Sequence, residues 1–369
     1  MNIKITGDLV INKSYTLDSD VIDFFKNSDL NIVNLEAPVT TTTSKIIKTG
    51  PHLKSDIELT RKILKELKVD LVTLANNHVL DYDHQGIKDT LQFCKDYDIN
   101  TVGAGTNLEN ASKTFYFDTS VGKIGIVNFA ENEWASATEK RAGANPMDII
   151  DNVRQIKESK LKADYLFVII HGGHEYYNLP SPRMQKQYRF YAECGADLVV
   201  GHHTHCISGF EVYKEVPIYY SLGNFLFTSD NKNDDWYTGM VLEIEIKDHN
   251  LTTKLFPVQQ QKSTFGLSML HGREKDIVLK RVSAYNKIIS DKKSLYKEWK
   301  KLVDNKYNNY INRWSAYAYI KNRYVSGVLR RLGFTGLNIR AIAAQLNLMR
   351  CEAHADLSKE VTQKYLEDN

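Results

Sequence analysis

Short apolar segments that end in residues able to bind a metal recur along the first 205 residues of this 369-residue chain. The clearest is residues 196–200, a predicted buried strand that leads directly into Gly201-His202-His203-Thr204-His205. Four earlier segments have the same form: residues 2–6 before Asp8, 30–35 before Glu36, 69–75 before Asn77 and His78, and 165–170 before His171. Short β-branched runs bounded by turn-forming residues are typical of strands buried on both faces. The pattern predicts an α/β protein in which the carboxyl ends of several strands share one site.

The residues that follow these segments form a ligand set suited to a transition metal. His203 and His205 are two residues apart, so on extended backbone they point the same way and can approach one metal ion or two adjacent ones. Two carboxylates, an amide and three or more imidazoles suit Mn²⁺, Fe²⁺ or Zn²⁺ better than Mg²⁺ or Ca²⁺. Their number exceeds the four ligands of a structural zinc site, so we expect two ions. A turn or a helix cap explains any one of these residues, but it explains five in register poorly.

Helical patterns alternate with the predicted strands. They cover residues 55–69, 83–96, 146–160 and 182–194, and hairpin-like strand pairs are predicted within 114–129 and 240–256. A capping box of Ser55 with Glu58 predicts the start of the first helix, and Asn145 is the predicted N-cap of the third. Strands and helices in this order predict a layered α/β sandwich of two mixed sheets flanked by helices.

Motifs spread over roughly the first 230 residues resemble those of the poly-γ-glutamate capsule biosynthesis (CapA-like) family, a branch of the calcineurin-like metallophosphoesterase superfamily. They are Gly7-Asp8, Asn34-Leu35-Glu36, Ala75-Asn76-Asn77-His78 with Asp81 and Gly86, His171-Gly172-Gly173 followed by Glu175-Tyr176, Gly201-His202-His203-Thr204-His205, and Tyr220-Ser221-Leu222-Gly223-Asn224-Phe225. The resemblance implies the sandwich fold of the superfamily and a metal-dependent hydrolytic activity. It does not extend beyond about residue 260.

The resemblance also implies how the ligands divide between two metal ions. Carried over by position, it assigns Asp8 and His205 to the first metal, Asn77, His171 and His203 to the second, and Glu36 to both as a bridge. Val10 departs from the pattern, because the superfamily usually has a histidine ligand of the first metal at that position. The first metal is therefore expected to have fewer protein ligands than the second.

Further motif residues have roles other than metal binding in this scheme. His78 would face the leaving group as general acid, which needs an imidazole near its unperturbed pKa of about 6.5. Glu175, Tyr176, His202 and Asn224 would contact substrate or orient the ligands from behind. The alternatives for these four are a glutamate at the start of a helix, a packed aromatic ring, a surface histidine and a loop-forming asparagine.

The composition is that of an ordinary globular protein. Apolar residues make up 42% and charged residues 25% of the chain, and no run of about 18 apolar residues exists to span a membrane. The chain enters a predicted strand without the basic and apolar segments of a signal peptide, which favours a cytoplasmic location.

The charge balance changes near residue 262. Residues 262–369 carry 21 Lys and Arg against 10 Asp and Glu, a net charge of +11, which leaves −8 for residues 1–261. We predict a catalytic domain at 1–261 and a basic, mainly helical region at 262–369. Three interpretations of that region stay open: a solvated helical cap packed on the sandwich, a site for an anionic polymer, and a contact with an anionic membrane surface. Nucleic-acid binding is less favoured, since no recognised module accompanies the charge.

These observations predict a phosphoesterase with two divalent metal ions that acts on a phosphorylated substrate or an anionic polymer while a capsule or another cell-surface polymer is made. A competing hypothesis keeps the metals but has the site cleave or transfer an amide or glycosidic bond. A third hypothesis, favoured by Val10, is a non-catalytic component that assembles with capsule-synthesis proteins.

Overall fold

The computed structural model describes residues 1–315, 319–334 and 337–368. The chain divides into two compact units, Met1–Tyr296 and Lys297–Asn369. This division falls after the composition shift near residue 262, so residues 262–296 belong to the first unit.

The first unit is built on two mixed sheets. Its strands are β1 (Asn2–Val10), β2 (Thr16–Leu17), β3 (Leu30–Leu35), β4 (Leu71–Thr73), β5 (Asn100–Val102), β6 (Ala104–Gly105), β7 (Phe115–Thr119), β8 (Gly122–Ala130), β9 (Gly143–Ala144), β10 (Tyr165–His171), β11 (Leu198–His202), β12 (Phe210–Tyr213), β13 (Val216–Tyr219), β14 (Asn224–Phe227), β15 (Thr238–Lys247), β16 (Asn250–Gln260) and β17 (Gly266–Met269). The first sheet has the order β2-β17-β16-β15-β1-β3-β4-β5 with β14 beside β1, and the second has the order β12-β13-β11-β10-β8-β7.

Parallel strands form the centre of each sheet. β1, β3, β4 and β5 run parallel in the first sheet, as do β8, β10, β11 and β13 in the second. The hairpins β15–β16 and β7–β8 are antiparallel, as the sequence predicts.

Helices cover the outer faces of the sheets and form the second unit. They are α1 (Ser19–Lys26), α2 (Ile57–Glu66), α3 (Asp83–Asp96), α4 (Leu108–Ala111), α5 (Ile149–Lys160), α6 (Pro182–Glu193), α7 (Gly272–Ser290), α8 (Lys292–Trp314), α9 (Arg323–Arg331), α10 (Ile339–Arg350) and α11 (Glu352–Asp368), with a 3₁₀ turn at Asp234–Tyr237. None of the helices in the described part of the chain is both long and apolar enough to cross a bilayer.

Alternate residues of the central strands face different layers. On β10, Phe167 and Ile169 pack between the sheets together with Ile5 of β1. Val168, which lies between them on the strand, packs on the other face with Tyr188 of α6. Both faces of the strand are therefore buried, which explains its uninterrupted apolar sequence. The sandwich of two mixed sheets flanked by helices is confirmed.

The same alternation places polar side chains between the sheets at one end. His171 follows Ile169 by two residues, and Asn34 follows Ile32 by two, so both histidine and asparagine continue the inward-facing rows of their strands. Each of these polar side chains is buried. At the carboxyl ends of these strands, the space between the sheets is thus lined by buried polar side chains, whereas the rest of that space is apolar.

Two predicted helix caps are wrong, and both errors have the same cause. α2 is capped by Asp56, whose side chain accepts a hydrogen bond from the backbone N–H of Leu59. The hydroxyl of Ser55 instead accepts the N–H of Ile11 at 3.2 Å. In each case a partner distant in sequence takes up the side chain that local spacing had assigned to the cap.

The second case is at α5, which is capped by Asp148 rather than Asn145. The amide of Asn145 donates to the carbonyl of Asn128 at 3.1 Å and to the side chain of Gln155 at 3.1 Å. The residue therefore joins a strand to a helix and is not free to cap.

Candidate metal centre

The fold brings the six predicted ligands to one place. Five of them form two groups, and within each group one nitrogen or carboxylate oxygen atom per residue lies within 4.8 Å of the others. The first ligand group is Asp8, Glu36 and His205, and the second is Glu36, His171 and His203. These residues lie on β1, directly after β3, at the end of β10 and directly after β11. Glu36 belongs to both groups, so the arrangement offers two adjacent sites that share one carboxylate.

The second ligand group is closely packed around His171. The Nε2 atom of His171 lies 3.4 Å from Oε1 of Glu36 and 3.1 Å from Nδ1 of His203. It also lies 2.9 Å from Oδ1 of Asn77, which brings the predicted amide ligand to this group. With Asn77, four candidate ligands therefore lie close enough together to bind one metal ion at the second ligand group.

The first ligand group is looser. His205 lies 3.4 Å from Asp8, between Nδ1 and Oδ2, and 3.6 Å from Glu36, between Nε2 and Oε1. The other oxygen of Asp8 accepts a hydrogen bond of 2.6 Å from the amide of Asn34. The same amide nitrogen lies 3.2 Å from Nδ1 of His171, so Asn34 holds one ligand from each group.

Glu36 shows that the site fits a cation. Both of its carboxylate oxygens are buried, and neither has a hydrogen-bond partner in the part of the chain that the structure describes. Burial raises the pKa of Glu36 well above its ordinary value; the nearby His205 opposes this rise, and the carboxylate of Asp8 adds to it. A buried carboxylate without donors is costly, and divalent cations bound by the surrounding imidazoles and carboxylates would remove that cost.

The imidazoles of the second ligand group are neutral. Burial and the neighbouring His205 lower the pKa of His203 to about 3. Burial and His203 likewise lower the pKa of His171 well below its ordinary value. A neutral imidazole has a lone pair available for a metal, so both rings are in the ligating state at neutral pH.

His205 behaves differently. Burial by itself lowers its pKa, but the carboxylates of Glu36 and Asp8 outweigh burial and raise the pKa to about 10. Burial by itself raises the pKa of Asp8, but the hydrogen bond with His205 and the nearby charges of His171 and His205 together outweigh burial and lower that pKa. The first ligand group therefore holds a proton that a metal ion would have to displace.

The backbone of the histidine loop is strained where it presents its ligands. His203 has φ of 88° and His205 has φ of 54°, a region that residues with a Cβ rarely adopt. The N–H of His203 donates to Oδ2 of Asp8 at 3.3 Å. Strain of this kind clusters at functional sites because the surrounding structure must maintain it.

The close approach of two backbone segments, at Gly7 and Gly223, sets the position of Asp8. A Cβ on Gly7 would lie 2.0 Å from the carbonyl oxygen of Gly223, and that oxygen accepts the N–H of Asp8 at 3.0 Å. Only glycine fits at Gly7, which explains the Gly-Asp pair of the first motif.

Val10 lies beside the first ligand group in an apolar cluster. It is buried with Ala37, Phe227 and Trp236, and the ring of Trp236 lies 4.9 Å from that of His205. The position where the motif resemblance leads one to expect a second imidazole for this group is thus part of a packed apolar wall.

His78 lies in a second buried network. Its Nδ1 is 2.6 Å from Oδ2 of Asp81, and Asp81 also accepts hydrogen bonds from Lys48 and from the N–H of Leu53. Burial lowers the pKa of His78 below 6.5, although the hydrogen bond with Asp81 opposes this shift. The imidazole is therefore less readily protonated than a general acid with an unperturbed pKa.

The structure places the four remaining predicted residues around the ligands. Asn224 contacts His205 directly, with 2.9 Å between Oδ1 and Nδ1, and Tyr176 lies with its ring 6.3 Å from that of His205. His202 is buried, and its Nε2 lies 2.8 Å from the carbonyl oxygen of Thr6, so it links the two sheets. Glu175 is exposed, but its charge contributes to the raised pKa of Glu36.

Two residues with clear contacts in the site have no assigned role in the sequence analysis. Asn34 bridges the ligand groups, and a signal for it exists, since it lies two residues before Glu36 in an inward-facing row. Lys48 is buried beside Asp81 and lies 3.3 Å from Nδ1 of His78. It comes from a loop without regular structure, and no local pattern marks it.

Comparisons with known proteins agree with these motifs. Residues 10–229 match the family described as bacterial capsule synthesis protein PGA_cap. The chain is 36% identical over 216 residues to the capsule biosynthesis protein CapA of Bacillus anthracis, covering 56% of this chain and 52% of that protein. It is 35% identical over 208 residues to the PGA biosynthesis protein CapA of Bacillus subtilis strain 168, covering 55% and 54%.

Similarity to solved structures is weaker. A putative 5'-nucleotidase from Staphylococcus aureus in complex with alpha-ketoglutarate aligns with a TM-score of 0.45 and 14% identity, over 77% of this chain and 58% of that one. The chain spans about half the length of the curated relatives it matches. The family match covers more than half of the chain and begins just after Asp8. The chain belongs to the bacterial capsule synthesis protein (PGA_cap) family.

Proposed function

We propose that this chain is a metal-dependent hydrolase of phosphoesterase type that holds two divalent metal ions and acts in the synthesis or modification of a capsule or other cell-surface polymer. The observation that carries the proposal is Glu36. Its carboxylate is buried, has no hydrogen-bond donor within residues 1–315, 319–334 and 337–368, and lies within reach of candidate ligands on both sides. A purely structural role in the metal-free protein does not explain why a carboxylate would be buried in this way. Binding of divalent cations by Glu36 and its neighbours would explain it.

The chain's own residues would hold the two ions unequally. Glu36, Asn77, His171 and His203 would form the second site, and Asp8, Glu36 and His205 the first. The mixed oxygen and nitrogen donors favour Mn²⁺, Fe²⁺ or Zn²⁺. When bound, the ions supply positive charge that stabilises the charge developing on a phosphoryl group during displacement.

His78 would exchange a proton with the leaving group. Asp81 accepts the hydrogen on Nδ1 and so fixes the orientation of the ring, which leaves Nε2 as the atom for proton transfer. Lys48 holds Asp81 from the other side. Because burial lowers the pKa of His78 below its ordinary value, most of its protonated form is lost before neutral pH is reached, and poor leaving groups would be cleaved best below neutral pH.

A second candidate keeps the metal site but changes the bond. Relatives that match this chain are named a PGA biosynthesis protein and a probable polyglutamine synthesis accessory protein, and these names favour an amide-linked polymer. A Lewis-acid centre also polarises carbonyl groups, so cleavage or transfer at an amide is the alternative. Mass analysis of products from poly-γ-glutamate and from phosphate-containing glycans would separate the two candidates.

The deciding experiment measures metal and activity together. The purified chain, loaded with Mn²⁺, is expected to contain up to two ions and to hydrolyse an activated phosphodiester or phosphomonoester. Asp8→Asn should lose one ion and the activity. Asp70→Asn is the matched control, because Asp70 is a partly buried carboxylate that accepts the N–H of Asn31 away from the ligands. Bound metal without turnover on esters and amides would argue for a non-catalytic component of capsule assembly.

A further inference from the structure

Helix α9, Arg323–Arg331, is divided sharply into two faces. Tyr324, Val325, Val328 and the following Leu332 lie along one side at helical spacing, and we call them the α9 apolar face. The opposite side carries Arg323 and Arg330 with small residues between them. The helix is therefore amphipathic over its whole length.

The α9 apolar face points to solvent. Tyr324 is 77% exposed and Leu332 is 75% exposed, while Val325 and Val328 are each about half exposed. The small residues Ser326 and Gly327, which lie off this face, are half-buried. No described residue of α9 is buried, and a Cβ on Gly327 would meet nothing within 4 Å. The apolar side of the helix is therefore uncovered, which packing against a protein core would not allow.

Every Asp, Glu, Lys or Arg position in the sequence around α9 is a Lys or an Arg. Between Asp304 and Glu352 the chain contains no Asp or Glu, and it contains eight Lys or Arg residues. Four of these, Lys321, Arg323, Arg330 and Arg331, lie in or directly before α9. An exposed apolar face flanked by uncompensated positive charge is the combination found in helices that lie at anionic membrane surfaces.

We propose that α9 docks on an anionic membrane surface, with the α9 apolar face inserted at the boundary between headgroups and acyl chains and the basic residues attracted, within about one Debye length, by the negative charge of the headgroups. Other occupants satisfy only half of the observations. A soluble polyanion would pair with the arginines but leave the apolar face in water, and a second copy of the chain would cover that face but bring the same positive charge. An anionic lipid surface satisfies both. This inference does not depend on hydrolase activity.

Vesicle sedimentation of the full chain tests the proposal. We expect it to sediment with vesicles of phosphatidylcholine containing about one third phosphatidylglycerol, and to stay in solution with phosphatidylcholine alone at the same ionic strength. Arg323→Gln/Arg330→Gln/Arg331→Gln should weaken binding roughly 100-fold, since each basic residue near such a surface contributes about a factor of 5. Lys88→Gln/Lys95→Gln/Lys140→Gln removes the same charge from exposed positions of the first unit and should change binding less than about 3-fold.

A second variant separates the membrane from other anions. Val325→Ser/Val328→Ser/Leu332→Ser keeps the charge and should weaken vesicle binding by at least about tenfold. Because these side chains are exposed, thermal unfolding should be unchanged, which shows that lost binding is not lost folding. The proposal is overturned if the serine variant binds vesicles as well as the unmodified chain. It is also overturned if the chain ignores vesicles but binds poly-γ-glutamate, or if it forms a dimer that the serine substitutions dissociate.

Discussion

The two ligand groups share Glu36 and differ in what surrounds it. The second group adds two neutral imidazoles and an amide oxygen, whereas the first adds one carboxylate and one protonated imidazole. In the first group the place of a further imidazole is filled by Val10, packed against Trp236. Borderline transition metals favour nitrogen donors. The comparison teaches that two positions built at the same edge of one fold need not be equivalent, and that the second should bind its metal more tightly.

The largest expected effect comes from the residue that the two groups share. Glu36→Gln should remove both ions and lower activity by at least about 10³-fold, because the ions contribute several kcal/mol of charge stabilisation. Metal analysis after gel filtration, together with turnover, measures this. Glu211→Gln is the control, since Glu211 is largely buried but paired with Arg189 at 2.6 Å. Retention of one tightly bound ion in Glu36→Gln would break the idea of a shared carboxylate.

The next effect concerns His78, which stands outside both groups. His78→Ala should slow cleavage of an alkyl phosphodiester by about 10²–10³-fold but that of a nitrophenyl ester by less than about tenfold, since only a poor leaving group needs protonation. The ratio of kcat values on the two substrates measures this. His271→Ala, at an exposed histidine, serves as control. Equal losses on both substrates would exclude proton donation by His78.

Metal binding by the first group should depend on pH. His205 has its pKa raised to about 10 in the metal-free protein, so below that pH the ring holds a proton, which binding must release. The affinity of the first ligand group for its metal ion should therefore rise with pH, by up to about 100-fold between pH 6 and 8. Calorimetric titration in buffers of different ionisation enthalpy counts the released protons. Binding without proton release would contradict the assigned state of His205.

Stepwise titration sharpens the same comparison. We expect two binding steps that differ in Kd by at least about tenfold, because the second group offers more nitrogen ligands. His205→Ala should eliminate the weaker step and His203→Ala the tighter one. Two equal steps, or loss of the same step in both variants, would mean that the groups are equivalent.

The smallest effect is expected at Lys48. Lys48→Met leaves Asp81 without its cation and loosens the orientation of His78, so kcat should fall about 3- to 10-fold with little change in KM. Lys48→Arg should retain most of the activity. Lys54→Met is the matched control, because Lys54 lies in the same loop but donates to the carbonyl of Thr42 at 3.1 Å. A change in KM alone would assign Lys48 to substrate binding instead.

The sequence predicted best the strands that are buried on both faces. The segment 30–35 coincides with β3, Leu30–Leu35, and the segment 165–170 is extended by one residue in β10, Tyr165–His171. A continuous apolar run leaves little choice of structure. The helical pattern of the predicted region 262–369 was less informative about where helices end, since Asp291 separates α7 from α8 and its side chain accepts the N–H of Ser294 at 3.0 Å.

Prediction of the site followed residue chemistry and failed where contacts are long-range. The six predicted ligands stand on strands or within a few residues after them and have side chains able to bind metals, so position and residue type were enough to propose them. Asn34 and Lys48 were not selected, because their contacts with Asp8 and Asp81 join residues 26 and 33 positions apart. Hydrogen bonds across such separations are set by how the strands and loops pack.

By itself, the sequence determined which residue types lie at the ends of the strands, and with them a set of side chains able to bind divalent metal. Only the tertiary structure decided that Glu36 has no hydrogen-bond donor among the described residues, that His205 is protonated while His203 is neutral, and that the α9 apolar face is exposed. The physical reason is that desolvation and electrostatic interaction depend on everything that surrounds a group. A local pattern specifies the group, whereas its surroundings come from chain segments far apart in sequence.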